Sequence, residues 1–479
     1  MLKQVIFDTL LEALGEKGDF DIKKPLILAV SGGVDSLCLA HALRDSQFKL
    51  IVAHFDHGLR AVSEAQATAL GVMMADWGLP FVSCRMDVDR FARQEKTGIE
   101  EAARIARYQF LYEVARDHQA QAIVLGHHAD DQVETVLMHF LRGSGMAGLT
   151  GMRPRTILKQ FDENIPLIRP LLSIWREELE TYAKVHRLEV LEDESNQTLL
   201  YYRNRLRHQL IPELETLNPG FKLGVTRAAE VLRGDEMLLQ KLEEAAYQKA
   251  LLTRSENELI LSNTVLQSLE PGLIRRVIRR ALHTLWKSQA DFGFRDIEAI
   301  RQFVEEGSGE VEVSGGIKAV LIADKLHLLL RRQAPSLVDY PQMPQLEALR
   351  LTLNETTPLN EGWQLRARMI DAMTYHHLSE SEKQDPMQAF INPRELEWPL
   401  CIRAGRVGER WKPLGLAEGT QKLSHFFVNN KTPRLARAKW PLLLSGESVV
   451  WLVGLRISQT WRLLGDEDEI LHLSLTRKS

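Results

Sequence analysis

The first half of this 479-residue chain predicts an α/β fold built on a doubly wound parallel sheet, followed by a mixed helical middle and a small β-rich carboxyl-terminal region. Three observations carry that reading. From about residue 24 to 150, apolar strand-like runs alternate with helical patterns. Two of the runs, LIVAHFD and AIVLGH, have a β-branched or bulky apolar body and a polar carboxyl end. A glycine-rich turn joins the first run directly to a helix.

In chain order, KPLILAV is the first strand, SGGVDS the turn and LCLAHALR the helix; LIVAHFD and AIVLGH are two further strands. Between them EEAARIARYQFLYEVARDH repeats apolar residues at helical spacing. Ligands of open α/β sheets bind beyond the carboxyl ends of the strands, so Ser31, Asp56 and His127 are expected to converge on one crevice. Asn218-Pro219-Gly220 marks a turn and a domain boundary, giving a first domain of residues 1–217. Residues 221–310 read as helical, and GEVEVSGGIKAVLIADKLHLLLRR as hairpin strands around Gly315-Gly316, which makes 218–335 a second domain. After the Pro-rich stretch PSLVDYPQMPQ the text is β-patterned to about residue 380, and residues 336–384 read as a linker or extension. Short strands with glycine punctuation return in a third domain, 385–479.

Composition bounds the function. Hydrophobic residues at 44% and charged residues at 26% are the balance of a globular protein, not of a disordered one. The apolar runs are far shorter than the roughly 20 residues that cross a bilayer, so no membrane partner is expected. The start, MLKQVIFDTLLEALGEKG, lacks the features of a secretory signal, and a cytoplasmic location is expected. Cys38, Cys84 and Cys401, three cysteines at wide spacing, suit neither a disulfide framework nor a CxxC site. A net charge of -4 means that nucleic acid would be met by local basic patches. A homodimer is compatible with the sequence.

The turn Ser31-Gly32-Gly33-Val34-Asp35-Ser36 lets the backbone turn sharply and aims free amides of the loop and helix start at an anion, with hydroxyls from Ser31 and Ser36. Asp35 is out of place in such a nest unless it meets a cation, and Mg²⁺ bridging phosphates would supply one. The bland alternative is a glycine turn with a serine cap. The loop is not GxxxxGK[ST], which serves γ-phosphate chemistry. It resembles the pyrophosphatase loop of N-type ATP pyrophosphatases, in which ATP is attacked at the α-phosphate.

In GHHADDQVETVLMHFLRGSG, His127, Asp131 and Glu134 follow one helical face with Asp130 adjacent. Carboxylates on one face suit a bound cation or ammonium group. Two other readings stay open: Asp130 and Asp131 as helix caps, worth about 0.3–1 kcal/mol each, and a metal site of His127, His128 and a carboxylate. Arg203 and Arg207, one turn apart in RNRLR, are candidates to grip phosphate, with Arg104 and Arg107 behind them. Each could equally be a solvated helix face.

The run HHADDQVETVL fits the HHxDDxxET pattern of the tRNA(Ile)-lysidine synthase family, which the chain resembles. SGGVDS, FDHGLR (55–60), EEAARIARYQFL (100–111), LRGSG, IRPLL (168–172), DESN (193–196) and RNRLRHQLIP (203–212) accompany it in the family's order. The likeness resumes in IRAGRVGERWKPLGLAEGTQKLSHFFVNNKTPRLARAKWPLLLSGESVVWLVGLRI, similar to the carboxyl-terminal domain of the long bacterial form. Glu409 stands where many members have Asp, and Phe55 where Val is commoner. The resemblance implies an adenine nucleotide alpha-hydrolase-like sheet, ATP and Mg²⁺ as cofactors, and transfer of free L-lysine to C2 of the wobble cytidine of CAU-anticodon tRNA(Ile). It implies that Phe55, Gly126 and Arg104 complete the ATP site, that Asp35 meets the metal, and that His127, Asp130, Asp131, Glu134, Arg203 and Arg207 carry catalysis. Asp131, Glu134 and His127 would hold the lysine.

Basic residues elsewhere would hold the rest of the tRNA. Candidates are Arg275, Arg276, Arg279 and Arg280 in PGLIRRVIRRALHTLW, and Lys422, Lys431, Arg434, Arg437 and Lys439 near the end; the alternative for each patch is a solvated face. A thiolating relative would need paired cysteines, and GMP or NAD synthetase would share SGGVDS without HHxDDxxET. A catalytically idle nucleotide-sensing or RNA-binding module is the rival from a different class.

Overall fold

A computed structural model describes residues 2–15, 20–58, 63–191, 202–286, 292–307, 309–330, 333–345, 347–416 and 418–478. DESN and the last two residues of FDHGLR lie outside the described residues. The chain forms two compact units, Met1–Lys241 and Leu242–Ser479. The boundary expected after residue 217 therefore falls within the first unit.

In the first unit α1 (Leu2–Gly15) precedes β1 (Leu26–Ala29), α2 (Val34–Leu43), β2 (Leu50–Asp56), α3 (Ser63–Asp76) and β3 (Phe81–Arg85). Then come α4 (Val88–Glu95), α5 (Ile99–Asp117), β4 (Ala122–Leu125), α6 (Ala129–Leu141), α7 (Met146–Leu149), β5 (Arg155–Ile157), β6 (Pro166–Ile168) and α8 (Arg176–His186). The strand order is β3-β2-β1-β4-β6-β5, parallel except for the antiparallel edge strand β5. Its central strands are apolar throughout because helices cover both faces. Leu26 and Leu28 of β1 join the core under α1, α2, α3 and α8, while Ile27 joins the core under α4 and α5. The chain runs outward from β1 to β2 and β3, then returns to place β4 on the other side of β1. That reversal puts the loops after β1 and β4 at a topological switch point, where such folds bind ligands.

Beyond α8, Tyr202–Arg205, a π turn at Leu206–Leu210 and Ile211–Leu217 continue one another, and the helix Phe221–Ala250 follows.

The second unit carries an antiparallel five-stranded sheet drawn from residues Leu251–Leu330, in which Lys325–Leu330 lies between Glu258–Ser262 and Ile317–Ile322, with the helices Pro271–Leu285 and Phe294–Glu306 packed on it through Ile274, Val277, Ile278, Ile297 and Ile300. Two further antiparallel sheets share one core that includes Trp451, Leu365, Ile402 and Leu443. Residues 336–384, expected as a linker or extension, contribute the nine-residue strand Trp363–Asp371, which pairs along its full length with Glu469–Arg477. Its alternating sequence WQLRARMID turns Trp363, Leu365 and Ala367 into that core.

Candidate active site

The loop after β1 is braced by its own hydroxyls. The Ser31 amide donates to Ser36 Oγ at 3.1 Å, and Ser36 Oγ donates to the Gly33 carbonyl at 3.1 Å. Gly32 sits at φ +93°, a conformation that favours glycine. Gly33 begins α2 without a side-chain cap, so the first amides of the helix keep no competing intramolecular acceptor from that residue. A Cβ on Gly126 would lie 3.2 Å from the Ser36 backbone, which explains glycine at the end of β4: the loop after β4 touches the first turn of α2 there.

A cavity of about 210 Å³ opens over this junction, lined by Ser31, Asp35, Ser36, Phe55, His57, Arg107, Gly126, His127 and Asp131. Phe55 packs against Phe110 at 5.8 Å between ring centres and forms part of its apolar wall. Ser31 and His127 meet here as expected, and Asp56 does not. Strand alternation sends Phe55 and His57 to one side and Asp56 to the other, where its carboxylate accepts from the Gly58 amide at 2.9 Å and pairs with Arg85 at 3.5 Å.

Asp35 lies between Arg176 Nη1, 3.1 Å from its Oδ2, and the His128 ring at 3.7 Å. Its Oδ1 is buried with no hydrogen-bond partner in the protein. Burial pushes this carboxyl above its usual range, against the pull of His128 and Arg176. Asp130 turns the other way, accepting from Lys222 Nζ and from the Arg176 amide, both at 3.0 Å. Burial would raise it, but these bonds and His128 hold it well below the ordinary range. Burial likewise opposes charge on His128, yet Asp130, Asp131 and Asp35 around it raise its pKa.

Asp131 and Glu134 share a face of α6, and that face is filled by arginine. Arg203 donates Nε to Glu134 Oε2 at 2.6 Å and Nη2 to Asp131 Oδ1 at 3.1 Å; Arg207 donates Nε to Glu134 Oε1 at 2.5 Å and Nη2 to Asp131 Oδ1 at 3.2 Å. Glu134 is 1% exposed. The two arginines offered as phosphate grips are thus locked to the two carboxylates offered as an ammonium site. Asp131 also caps α6, its Oδ2 accepting from the His128 amide at 3.0 Å, so the capping reading holds alongside any other role. Among the described residues no group of three or more His, Cys, Asp and Glu side chains could hold a metal ion, which leaves the His127–His128–carboxylate alternative without support.

A larger cavity of about 610 Å³ adjoins the first and shares His57, Arg107 and His127 with it. Arg104, Arg142, Arg169 and Arg203 join Arg107 on its walls, with Glu100 and Glu101. Arg104, expected with the nucleotide, lines this cavity and not the smaller one beside the loop. Tyr108 lies beneath Arg104 and Arg107 at 5.6 and 5.3 Å. Burial would raise its phenol, but Arg107, Arg169 and Arg104 bring it below the usual value.

Sequence reasoning missed Arg169, Arg176 and Lys222 as members of the site, and it offered His128 only as a metal ligand, whereas its ring lies among Asp35, Asp130 and Asp131. IRPLL contained Arg169 without singling it out, and nothing local marks Arg176 or Lys222 as reaching Asp35 and Asp130, which lie 46 to 141 residues away.

The basic patches are partly neutralised. Arg275 pairs with Glu298 and Arg276 with Glu243, each at 2.8 Å, and Arg280 with Glu244. Arg279 is exposed. Near the end, Lys422, Lys431, Arg434 and Lys439 are exposed, whereas Arg437 is tied to the Thr432 carbonyl at 2.7 and 2.9 Å. Glu409 pairs with Arg403 at 2.8 Å. No helix among the described residues is long and apolar enough to cross a membrane.

Residues 4–214 match the PP-loop domain family, and residues 400–474 the TilS substrate C-terminal domain. The chain is 33% identical to a tRNA(Ile)-lysidine synthase of Dehalococcoides mccartyi, over 91% of this chain and 92% of that one. It is 32% identical to one of Geobacter sulfurreducens, over 94% and 92% of the two chains. Against one of Bacillus subtilis the identity is 30%, over 90% of each.

Proposed function

The chain belongs to the tRNA(Ile)-lysidine synthase family, and on that premise we propose that its crevice joins free L-lysine to C2 of the wobble cytidine of CAU-anticodon tRNA(Ile) at the expense of ATP. The observation that carries this reading is the junction of the two cavities: the PP-loop and Gly126 bound one, five arginines line the other, and His127 belongs to both. A nucleotide in the smaller cavity and a flipped base in the larger would meet at that wall.

A carbonyl oxygen is a poor leaving group until it carries a phosphoryl substituent. In the first step the C2 oxygen attacks the α-phosphorus, and the bond to the β-phosphate breaks with its electrons on pyrophosphate. The loop amides and Arg107 supply the charge that this requires. The residues fit a divalent cation: the buried, unpartnered Asp35 Oδ1 is a hard oxygen donor beside the phosphate loop, and Mg²⁺ held there would neutralise phosphate charge. In the second step the neutral ε-amine of lysine attacks C2, AMP departs with the C–O electrons, and the amine gives up one proton. Asp131 and Glu134 supply the acidic recognition of the amine, in exchange for contacts that Arg203 and Arg207 now make.

The free thiols do not favour thiolation: Cys38 is buried, and neither Cys84 nor Cys401 lines either cavity. The test is incubation with ATP, L-lysine and unmodified CAU tRNA(Ile), with mass analysis of the wobble nucleoside. A lysine-sized increment dependent on all three is expected; an unmodified nucleoside with an active ATP site would overturn the proposal.

A further inference from the structure

His127 is held by a donor that fixes which of its ring nitrogens carries hydrogen. Arg169 aims Nε–H at His127 Nδ1 across 3.2 Å. Its Nη1 is anchored to the Arg153 carbonyl and to Thr156 Oγ1, both at 3.0 Å, so the guanidinium is oriented by β5 and the residues before it. Arginine has no acceptor and keeps its protons. His127 Nδ1 must therefore present its lone pair, and a neutral imidazole then carries its single hydrogen on Nε2. Burial drives the His127 pKa down to about 3, with Arg169, Arg107 and Arg203 adding to the effect against Asp131. Protonating Nδ1 would cost the Arg169 bond and set an imidazolium among those guanidinium groups.

We propose that His127 serves the reaction as a neutral hydrogen-bond donor through Nε2–H to a phosphoryl oxygen of the adenylyl group, with Arg169 as its positioning residue, and that it is not the base that takes the proton from lysine. This rests on the function proposed above. Negative charge gathers on that group twice: on the α-phosphoryl oxygens as pyrophosphate leaves, and on AMP as the C2–O bond breaks. A fixed neutral donor at the wall common to both cavities stabilises that charge in each step. The proton released when the amine adds to the cationic adenylated ring goes to the Asp131–Glu134 carboxylates. The ammonium formed there is far more acidic than that of free lysine, and Asp131, whose carboxyl is held below its ordinary range, is charged and able to accept its proton.

Two substitutions at one position separate donor from base. Glutamine places an N–H near the Nε2 position and cannot act as a base at neutral pH; alanine offers neither. With the full chain and tRNA, His127→Ala is expected to slow tRNA-dependent pyrophosphate release about 100-fold, and His127→Gln to recover about tenfold or more of that loss. Lysine transfer to pre-adenylated tRNA should keep its pH profile in His127→Gln. Nitrogen-15 NMR of histidine-labelled protein, with His127→Gln assigning the resonance, should show Nε2 protonated and Nδ1 not; Arg169→Met should mix the tautomers and lower the adenylation rate with little change in the KM for ATP. Glutamine as slow as alanine, a shifted second-step pH profile, or a protonated Nδ1 would each overturn the proposal. A wild type that forms no lysidine would instead sink the function, while the NMR readout, which needs no substrate, still judges the His127–Arg169 pair.

Discussion

Asp131 and Glu134 face two guanidinium groups, which makes Glu134 the residue where chemistry and stability are easiest to separate. Glu134→Gln keeps the shape and one acceptor but removes the charge that an ammonium group would seek. We expect lysine transfer to be abolished with adenylation spared, and single-turnover assays of AMP and pyrophosphate release read the two steps apart; undiminished lysidine formation would refute the assignment. Removing one partner of a buried pair costs about 3–5 kcal/mol, but Arg203 and Arg207 are 40% and 26% exposed and keep Asp131, so the thermal penalty should fall below that range. At Gly126 the argument is steric: the added Cβ of Gly126→Ala meets Ser36 backbone at 3.2 Å, and the loop must give way. ATP affinity should drop about tenfold, near 1.4 kcal/mol, in a protein that still melts cooperatively; calorimetric titration decides. The loop glycines and the Asp131–Glu134 spacing were legible in the sequence because they are local. Arg203 and Arg207 were legible as residues but not in their partners, which lie 69 to 76 residues earlier.

Among the elements, β2 shows how one period misassigns a residue: the strand was read correctly, yet Asp56 at its end faces away from Phe55 and His57. The helix Pro271–Leu285 offers a related lesson in charge. Its spacing sets a basic edge beside an apolar one, but the neighbouring Glu243, Glu244 and Glu298 answer Arg276, Arg280 and Arg275. Counting cations in sequence overstates what such an edge offers to RNA. The last domain's patch is the better candidate, since Lys431, Arg434 and Lys439 are exposed. Neutralising these three with glutamine should weaken tRNA binding and reduce the slope of log affinity against log salt by about 1 per lost phosphate contact, leaving ATP binding unchanged. Equal slopes for variant and wild type would remove the patch from the interface. Arg437, committed to the Thr432 carbonyl, should affect folding more than salt dependence.

Across the whole molecule the doubly wound sheet was readable from alternation, and so was the β-rich character of the last region; the pairing of the strands within residues 349–477 was not, because short strands separated by irregular loops carry little signal of their partners. Acid should test the two units together. Burial lowers His41 and His472 to about 4, whereas in the unfolded chain each would titrate near 6.5. Between those values the unfolded state binds more protons, so stability rises with pH across the window and is lost as pH falls through it. Carboxylates held low, such as Asp130, add their loss only below their ordinary range. His472→Gln should flatten the dependence by up to about 1.4 kcal/mol per pH unit, visible as a smaller spread of thermal midpoints between about pH 4.5 and 6.5; an unchanged spread would rule it out. Lys222 and Arg233, both in the helix Phe221–Ala250, reach back to Asp130 and to the Thr150 and Met152 carbonyls. A fragment cut at the Asn218-Pro219-Gly220 turn, where the text of the chain invites the scissors, would lose the side chains that hold Asp130 and the Thr150 and Met152 carbonyls. A piece that keeps both contacts has to run past Arg233, well inside that helix.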